Sequence, residues 1–270
     1  MSLTWRRLEE PFREEVPFDS IQAIDLEGNR FAIVGARRDD QGGYGTDGAI
    51  TWIGTLENRL ADLRPILYDV KGPGLPTMNR CGSASIGAVR FLPGGSLVVI
   101  PGIQPGVNLY DVGGKLIRTW DSPTLGIDAD CLGLTEERWR YFWGHPQERQ
   151  VWFNQHRMVD TVLPFKEGPG LVVRRVEEGR TRWDLKLLRL DGPVETYAIP
   201  IEGANEFFNL EGDLRAGKIV FLLHEVFFYG GDKTRPTPPR LIVAAPPEGL
   251  GGPPVVASHL HLAPLKISNL

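Results

Sequence analysis

The stretch Gly95-Ser96-Leu97-Val98-Val99 recurs 74 residues later as Pro169-Gly170-Leu171-Val172-Val173. The match continues downstream. Leu109-Tyr110-Asp111-Val112-Gly113-Gly114-Lys115-Leu116-Ile117-Arg118-Thr119-Trp120 is answered by Leu188-Arg189-Leu190-Asp191-Gly192-Pro193-Val194-Glu195-Thr196-Tyr197, a strand, a tight glycine turn and a strand ending in Thr-aromatic. Asn29 to Val34 and Gly217 to Leu222 echo the first motif more weakly. Around these anchors lie short apolar runs bounded by Gly, Pro, Asn or Asp: Ile21 to Leu26, Arg30 to Ala36, Ile50 to Leu56, Ile66 to Tyr68, Ile86 to Leu92, Leu97 to Ile100, Val107 to Tyr110 and Leu116 to Trp120. Small strands at close spacing without regular helices between them predict an antiparallel all-β chain.

A sandwich would use the same strands but has no reason for a repeated strand-turn-strand unit. Repetition at about 40–50 residues predicts a β-propeller, with four-stranded units at residues 20–69, 85–121, 156–201 and 207 to 262. Ile127 to Leu134 reads as the inner strand of a degenerate further blade, so the expected count is about five, with four or six open. A short helical insertion is expected near residues 135–155: Thr135 can cap it, Glu136 and Glu137 suit its positive end, and Trp139, Phe142 and Trp143 fall on one face before Pro146. That aromatic stripe either packs on the propeller or forms a platform for a ring-shaped ligand. The whole chain, 1–270, is expected to be one propeller domain, with residues 1–17 an arm or closing segment.

The segment Phe91-Leu92-Pro93-Gly94-Gly95-Ser96-Leu97-Val98-Val99-Ile100-Pro101-Gly102, followed by Val107 to Leu116, resembles a blade of the NHL and related six-bladed propellers, which typically read "DGSLVV…VYDxxGKL". The chain departs from that pattern with Pro93-Gly94-Gly95 in place of Asp-Gly and with long insertions. The resemblance implies a scaffold that in different members binds proteins, RNA, sugars or metals, or acts as a lactonase or lyase; a fold alone selects none of these.

Composition narrows the classes. With 41% hydrophobic residues, 24% charged residues, and 30 basic against 34 acidic side chains, the chain can bury a core and lacks the basic excess that nucleic-acid binding would use. No run reaches the ~18 apolar residues of a membrane helix, and the start, Met1 to Arg7, has no apolar h-region. Compartment stays open between cytoplasmic and extracytoplasmic. Cys81 and Cys131 are 50 residues apart and outside any C-x-x-C, so they form no thiolate metal site by themselves; one disulfide or two packed thiols both fit.

Alternation of strands assigns the connections to two faces. Glu27 to Asn29, Pro93 to Gly95, Val112 to Gly114, Asp191 to Pro193 and Arg215 to Gly217 are short and share one face. The other receives Arg38 to Gly48, Val70 to Ala84 and Phe227 to Pro239, of 11, 15 and 13 residues. Long loops on one side of a rigid scaffold carry function, so the expected ligand face contains Arg38, Tyr44, Asp47, Met78, Arg80, Gln104 and Tyr229.

Motifs for specific chemistry are weak. Gly43-Tyr44-Gly45-Thr46-Asp47-Gly48 matches G-x-G-x-x-G but precedes a strand, leaving no helix N-terminus for a pyrophosphate. There is no G-x-S-x-G, P-loop, H-E-x-x-H or EF-hand pattern. His259 and His261 alternate, so in a strand they share a side, and His224-Glu225 could join them as metal ligands; an incidental pair near a strand end is the plainer reading. His156 and Asp160, and Asp128 and Asp130, are equally readable as turn caps. The expectation is a non-enzymatic binding propeller for a protein or small extracellular ligand, with no cofactor, no nucleic-acid partner, no membrane insertion and an undetermined oligomeric state. The alternative is a divalent-metal-dependent lactonase or hydrolase on the axis, for which Asp128, Asn154, Asn205 and Glu225 offer suitable side chains.

Overall fold

The computed structural model describes residues 18–37, 49–56, 60–68, 88–100, 106–128, 136–225, 237–250 and 258–260. These form four four-stranded antiparallel sheets, each a meander in chain order. The first contains β1 (Phe18–Glu27), β2 (Arg30–Arg37), β3 (Ala49–Leu56) and β4 (Leu60–Tyr68); the second β5 (Ala88–Phe91), β6 (Leu97–Ile100), β7 (Val107–Tyr110) and β8 (Leu116–Trp120). The third contains β9 (Met158–Phe165), β10 (Gly168–Glu177), β11 (Arg180–Leu188) and β12 (Val194–Glu202); the fourth β13 (Phe208–Arg215), β14 (Lys218–Glu225), β15 (Arg240–Ala244) and β16 (Ser258–Leu260). The first strands of successive sheets lie against one another, β1 on β5, β5 on β9 and β9 on β13, as the innermost strands of propeller blades do. The protein is an all-β propeller with four blades among the described residues.

Both copies of the repeated sequence motif are second strands, β6 and β10, and both weaker echoes are second strands as well, β2 and β14. Their alternating residues fill the gaps between blades. Ala32, Val34 and Ile53 of blade one meet Val89, Phe91, Leu97 and Val99 of blade two. Val98, Ile100 and Leu109 of blade two meet Val162, Leu171 and Val173 of blade three. Val172, Trp183 and Leu185 of blade three meet Leu210, Phe221 and Leu223 of blade four. Because neighbours on a strand point to opposite faces, Val98 and Val99, or Val172 and Val173, each serve two interfaces, which is why this strand reads as continuous hydrophobicity rather than alternation.

Among the described residues the blade count is four, the lowest of the expected values. Ile127, expected in an inner strand, instead follows the short helix α1 (Ser122–Leu125). Asp121 caps α1 by accepting from the Thr124 N–H (2.8 Å), which holds its carboxyl below the usual range, and Gly126 ends it in the left-handed conformation at φ 61°. Ile127 then inserts into the core between blades two and three. Its apolar character serves packing; residues 129–134, the rest of the expected inner strand, lie outside the described residues. Two further helices, α2 (Glu136–Gly144) and α3 (Pro146–Asn154), occupy the expected insertion, with Pro146 starting the second. Phe142 is buried and its ring lies 5.8 Å from that of Trp152, so this part of the aromatic stripe packs inward. No helix among the described residues is long and apolar enough to cross a membrane.

Candidate functional site

The innermost strands bring charged side chains to both ends of the axis. All five turns expected on the short-turn face join a first to a second strand or a third to a fourth, so they share one end. Toward that end Arg90, third residue of β5, pairs with Asp25 of β1 through Nη1 at 3.6 Å and with Asp213 of β13 through Nη2. Asp25 also accepts the Phe91 N–H at 2.7 Å, and Arg215 lies 2.6 Å from Asp213. Beside them Arg30, at the start of β2, donates to the Gly95 carbonyl from both Nη atoms at 3.2 Å and stacks over the Phe91 ring at 4.7 Å. Gly95, at φ +84°, permits this approach: a Cβ there would fall 2.9 Å from Arg30 Nη1. Charges at this end neutralise one another and tie three blades.

The opposite end receives the connections β2–β3, β4–β5, β6–β7, β8–β9 and β14–β15. Here the polar groups come from blades three and four. Asp160 sits on a bulge of β9, where the register with β10 slips between Val172 and Val173. One of its oxygens, Oδ2, accepts from Trp183 Nε1 (2.7 Å) and from the Leu210 N–H (3.2 Å). The other, Oδ1, lies 3.5 Å from Nε of Arg174, and the two side chains are only 2% and 1% exposed. Burial raises the Asp160 carboxyl above its usual range, against the opposing pull of Arg174 and the Trp183 and Leu210 hydrogen bonds. Arg174 Nη1 donates to Asn209 Oδ1 at 2.8 Å. Asn209 is opposite His224 in the β13–β14 register. His224 Nε2 lies 3.1 Å from Glu211 Oε1; these side chains are 29% and 64% exposed. The cluster therefore runs from a desolvated ion pair to a solvent-facing imidazole and carboxylate.

Glu225, next to His224 on the strand, takes the other side. It accepts from Asn205 Nδ2 (2.9 Å) and the Thr237 N–H (3.2 Å); burial pushes its carboxyl up, and the hydrogen bonds more than compensate, leaving it below the usual range. Asn205 in turn accepts at its backbone carbonyl from Thr181 Oγ1 at 2.7 Å. The two residues expected to act together as metal ligands are thus separated by strand alternation. Among the described residues no three His, Cys, Asp or Glu side chains are grouped to hold a metal ion. His261 and the side chain of His259 lie outside the described residues, as do Arg38, Tyr44, Asp47, Met78, Arg80, Gln104, Tyr229, Cys81 and Cys131. Asp128 is engaged with Arg157, accepting its N–H at 2.6 Å, and His156 is buried with Nδ1 2.9 Å from the Trp152 carbonyl; both are structural.

Sequence reading passed over Arg174, Asn209 and Glu211. The available signal was a lone carboxylate, Asp160, within the apolar run Met158 to Leu163; an inner strand that carries a charge must supply a partner.

No protein-family model and no curated protein matches the sequence. Among solved structures the chain is similar to a GH43 endo-arabinanase from Bacillus licheniformis, at 11% identity over 82% of this chain and 69% of that one, with a TM-score of 0.35. It is also similar to a GH43 β-1,3-galactosidase with galactodeoxynojirimycin, at 11% identity over 91% of this chain and 76% of that one, with a TM-score of 0.41.

Proposed function

We propose that the protein is a binding propeller whose ligand is held at the long-connection end of the axis. The supporting observation is the asymmetry of the two ends: Asp25 and Asp213 are neutralised by Arg90 and Arg215, whereas His224 and Glu211 present a partly exposed imidazole and carboxylate backed by the buried Asp160–Arg174 pair. Rigid strands position these groups, and the connections carrying Arg38, Tyr44, Asp47, Met78, Arg80, Gln104 and Tyr229 join strand ends at the same end, so they belong to the proposed ligand face. The NHL-type character of Phe91 to Leu116 belongs to this reading too; it rests on the sequence of the single blade β5–β8.

The test is a screen of small polar metabolites against the purified chain, read by NMR. Compounds that perturb His224 and Glu211, and whose effect disappears in Glu211→Ala/His224→Ala but persists in Asp213→Ala, support the reading. Compounds that instead map to Asp25, Arg90 and Asp213 overturn it.

A second reading, a hydrolase, is favoured by the 3.1 Å His224–Glu211 pair, in which a carboxylate orients an imidazole that could serve as general base. Turnover of an ester or glycoside that is lost in both His224→Gln and Glu211→Gln, with the fold intact, would move the assignment from binding to catalysis.

A further inference from the structure

The face of blade one that turns away from blade two is apolar along its innermost strand and is left bare there. On β1, Ala23 packs into the cluster shared with blade two and Asp25 accepts the Phe91 N–H of β5, so Ile24 and Leu26 point the other way. A bulge adds Ile21 to them: its register partner is Gly35, next to Val34, which faces blade two opposite Ala23. Ile21, Ile24 and Leu26 are 47%, 55% and 53% exposed. Their register neighbours on β2, Ile33 opposite Ile24 and Phe31 opposite Leu26, are 2% and 1% exposed. The same surface is therefore a packing face over its second strand and open over its first. Single exposed aliphatic residues are ordinary, but three aligned on the innermost strand of a blade form a stripe that calls for a partner.

Across the seam the wall offered by blade four is apolar as well. Ile219, Phe221, Leu223 and Ile242 fill the interface with blade three, so Val220 and Leu222 of β14, paired with Val243 and Leu241 of β15, face away from it and are half-buried. Among the described residues Arg90 bridges blades four and one at the axis, between Asp213 and Asp25, and no hydrophobic cluster joins them. We propose that residues 1–17 close this seam, laying their apolar side chains on Ile21, Ile24 and Leu26. Connectivity selects this occupant, because residue 17 is bonded to Phe18, the first residue of β1. The stripe from Ile21 to Leu26 is about 17 Å long. A segment of that length of chain reaches about 25 Å as a helix and about 55 Å extended, so it can cover the stripe in either form. It carries Leu3, Trp5, Leu8, Phe12 and Val16, set apart by Arg6-Arg7, Glu9-Glu10 and Arg13-Glu14-Glu15, which can face water while the apolar residues meet the stripe. The other terminal segment, residues 261–270, departs from Leu260 of β16, at the outer rim of blade four rather than at an innermost strand. The inference is independent of which end of the axis holds a ligand.

Photo-crosslinking in the full chain tests the occupant directly. The photoreactive residue benzoylphenylalanine replaces Leu26 in one preparation and Ile24 in a second; both positions are half-exposed, and the second serves should the first fail to fold, as a melting curve shows. After irradiation the products are separated by mass and the joined peptides are mapped by mass spectrometry. The expected product has the mass of one chain and joins position 26 or 24 to a peptide within residues 1–17. Its yield should fall at least about tenfold when Leu8→Asp and Phe12→Asp are combined, because a carboxylate is expelled from an apolar contact. The same photoreactive residue at Val112, which is 58% exposed, is the control and should not join to residues 1–17. A product with the mass of two chains overturns the proposal in favour of a second copy, and one joined to residues 261–270 overturns it in favour of the other terminal segment. Absence of any product from folded chain, an undiminished yield in the Leu8→Asp/Phe12→Asp chain, or equal joining from Val112 overturns it as well.

Discussion

The two ends of the axis use similar residues to opposite effect. At the short-turn end one arginine, Arg90, lies between two carboxylates, and Asp25 gains a further backbone donor from Phe91, so the charges are consumed in joining β1, β5 and β13. At the other end Arg174 and Asp160 form a single pair that is more deeply buried yet less completely satisfied, and the neighbouring Glu211 and His224 face solvent. Ion pairs that close a ring and ion pairs that prepare a surface are distinguished by what remains unpaired, not by how many charges are present. The difference is also one of neighbours. Hydrophobic clusters fill the seams between blades one and two, two and three, and three and four, so the Arg90 cluster links blade four to blade one where packing among the described residues contributes least.

Both ends depend on the seams, so the largest effects belong there. Val98 and Val172 are fully buried between blades two and three and between blades three and four, respectively. Val98→Asp and Val172→Asp should each destabilise by several kcal/mol, because a lone carboxylate would have no partner there. Urea denaturation measures this; a wild-type midpoint in either variant would break the blade assignment on which the two ends are defined.

Truncating the central arginines contrasts the ends directly. Arg174→Ala strands a fully desolvated Asp160 and should cost about 3–5 kcal/mol. Arg90→Ala leaves Asp25 and Asp213 partly exposed, at 17% and 25%, where water can replace the guanidinium, so its cost should be nearer 1–2 kcal/mol. Equal losses in denaturation experiments would show that the buried pair is no more desolvated than the exposed one.

Much of this architecture was legible because propeller blades repeat a local pattern. Leu97-Val98-Val99 and Leu171-Val172-Val173 mark second strands, and the glycine turns after Asp111 and Asp191 mark the third-to-fourth hairpins, all set by residues close in sequence. The two-face assignment followed from strand alternation alone. Ile127 misled as a blade marker because an apolar residue that plugs a core after a capped helix looks, in one dimension, like a strand. The candidate site was the least legible part. Asp160 finds its partners on β10, β11 and β13, up to 50 residues away, through a bulge that no local periodicity announces. His224 and Glu225 attracted attention as neighbours in sequence, yet alternation sends one toward Glu211 and the other toward Asn205.

Acid titration should separate two carboxylates at the same end. The Asp160 carboxyl is raised in the folded state, mainly by burial, so the folded chain binds its proton more tightly than the unfolded chain does. Its contribution to stability therefore falls as pH rises from the ordinary carboxylate range through the raised value. Glu225 is lowered despite its burial, by the hydrogen bonds from Asn205 and Thr237, so its contribution is present above the ordinary range and is lost as pH falls. Stability measured against pH for wild type, Asp160→Asn and Glu225→Gln should give wild-type-minus-variant differences of opposite slope. Parallel slopes would mean that the two groups experience the same environment, contrary to their hydrogen-bond partners.

The smallest effect on stability should accompany a large effect on binding. If the long-connection end is the ligand face, alanine at Tyr44, Asp47, Met78 or Tyr229 should change stability by no more than about 1 kcal/mol, because positions in the connections between strands generally contribute little to a core. The same changes should weaken a ligand found in the screen, whereas alanine at Val112 or Lys115, in the β7–β8 turn at the opposite end, should leave binding intact. Val112 is among the exposed large apolar residues, at 58%, so its truncation is also a fair control for nonspecific loss of surface hydrophobicity. Isothermal titration with the screened ligand and a melting curve for each variant supply both quantities from one preparation. Weakened binding confined to the Val112 and Lys115 variants would reverse the functional polarity of the axis, and weakened binding from both sets would place the ligand on neither end alone.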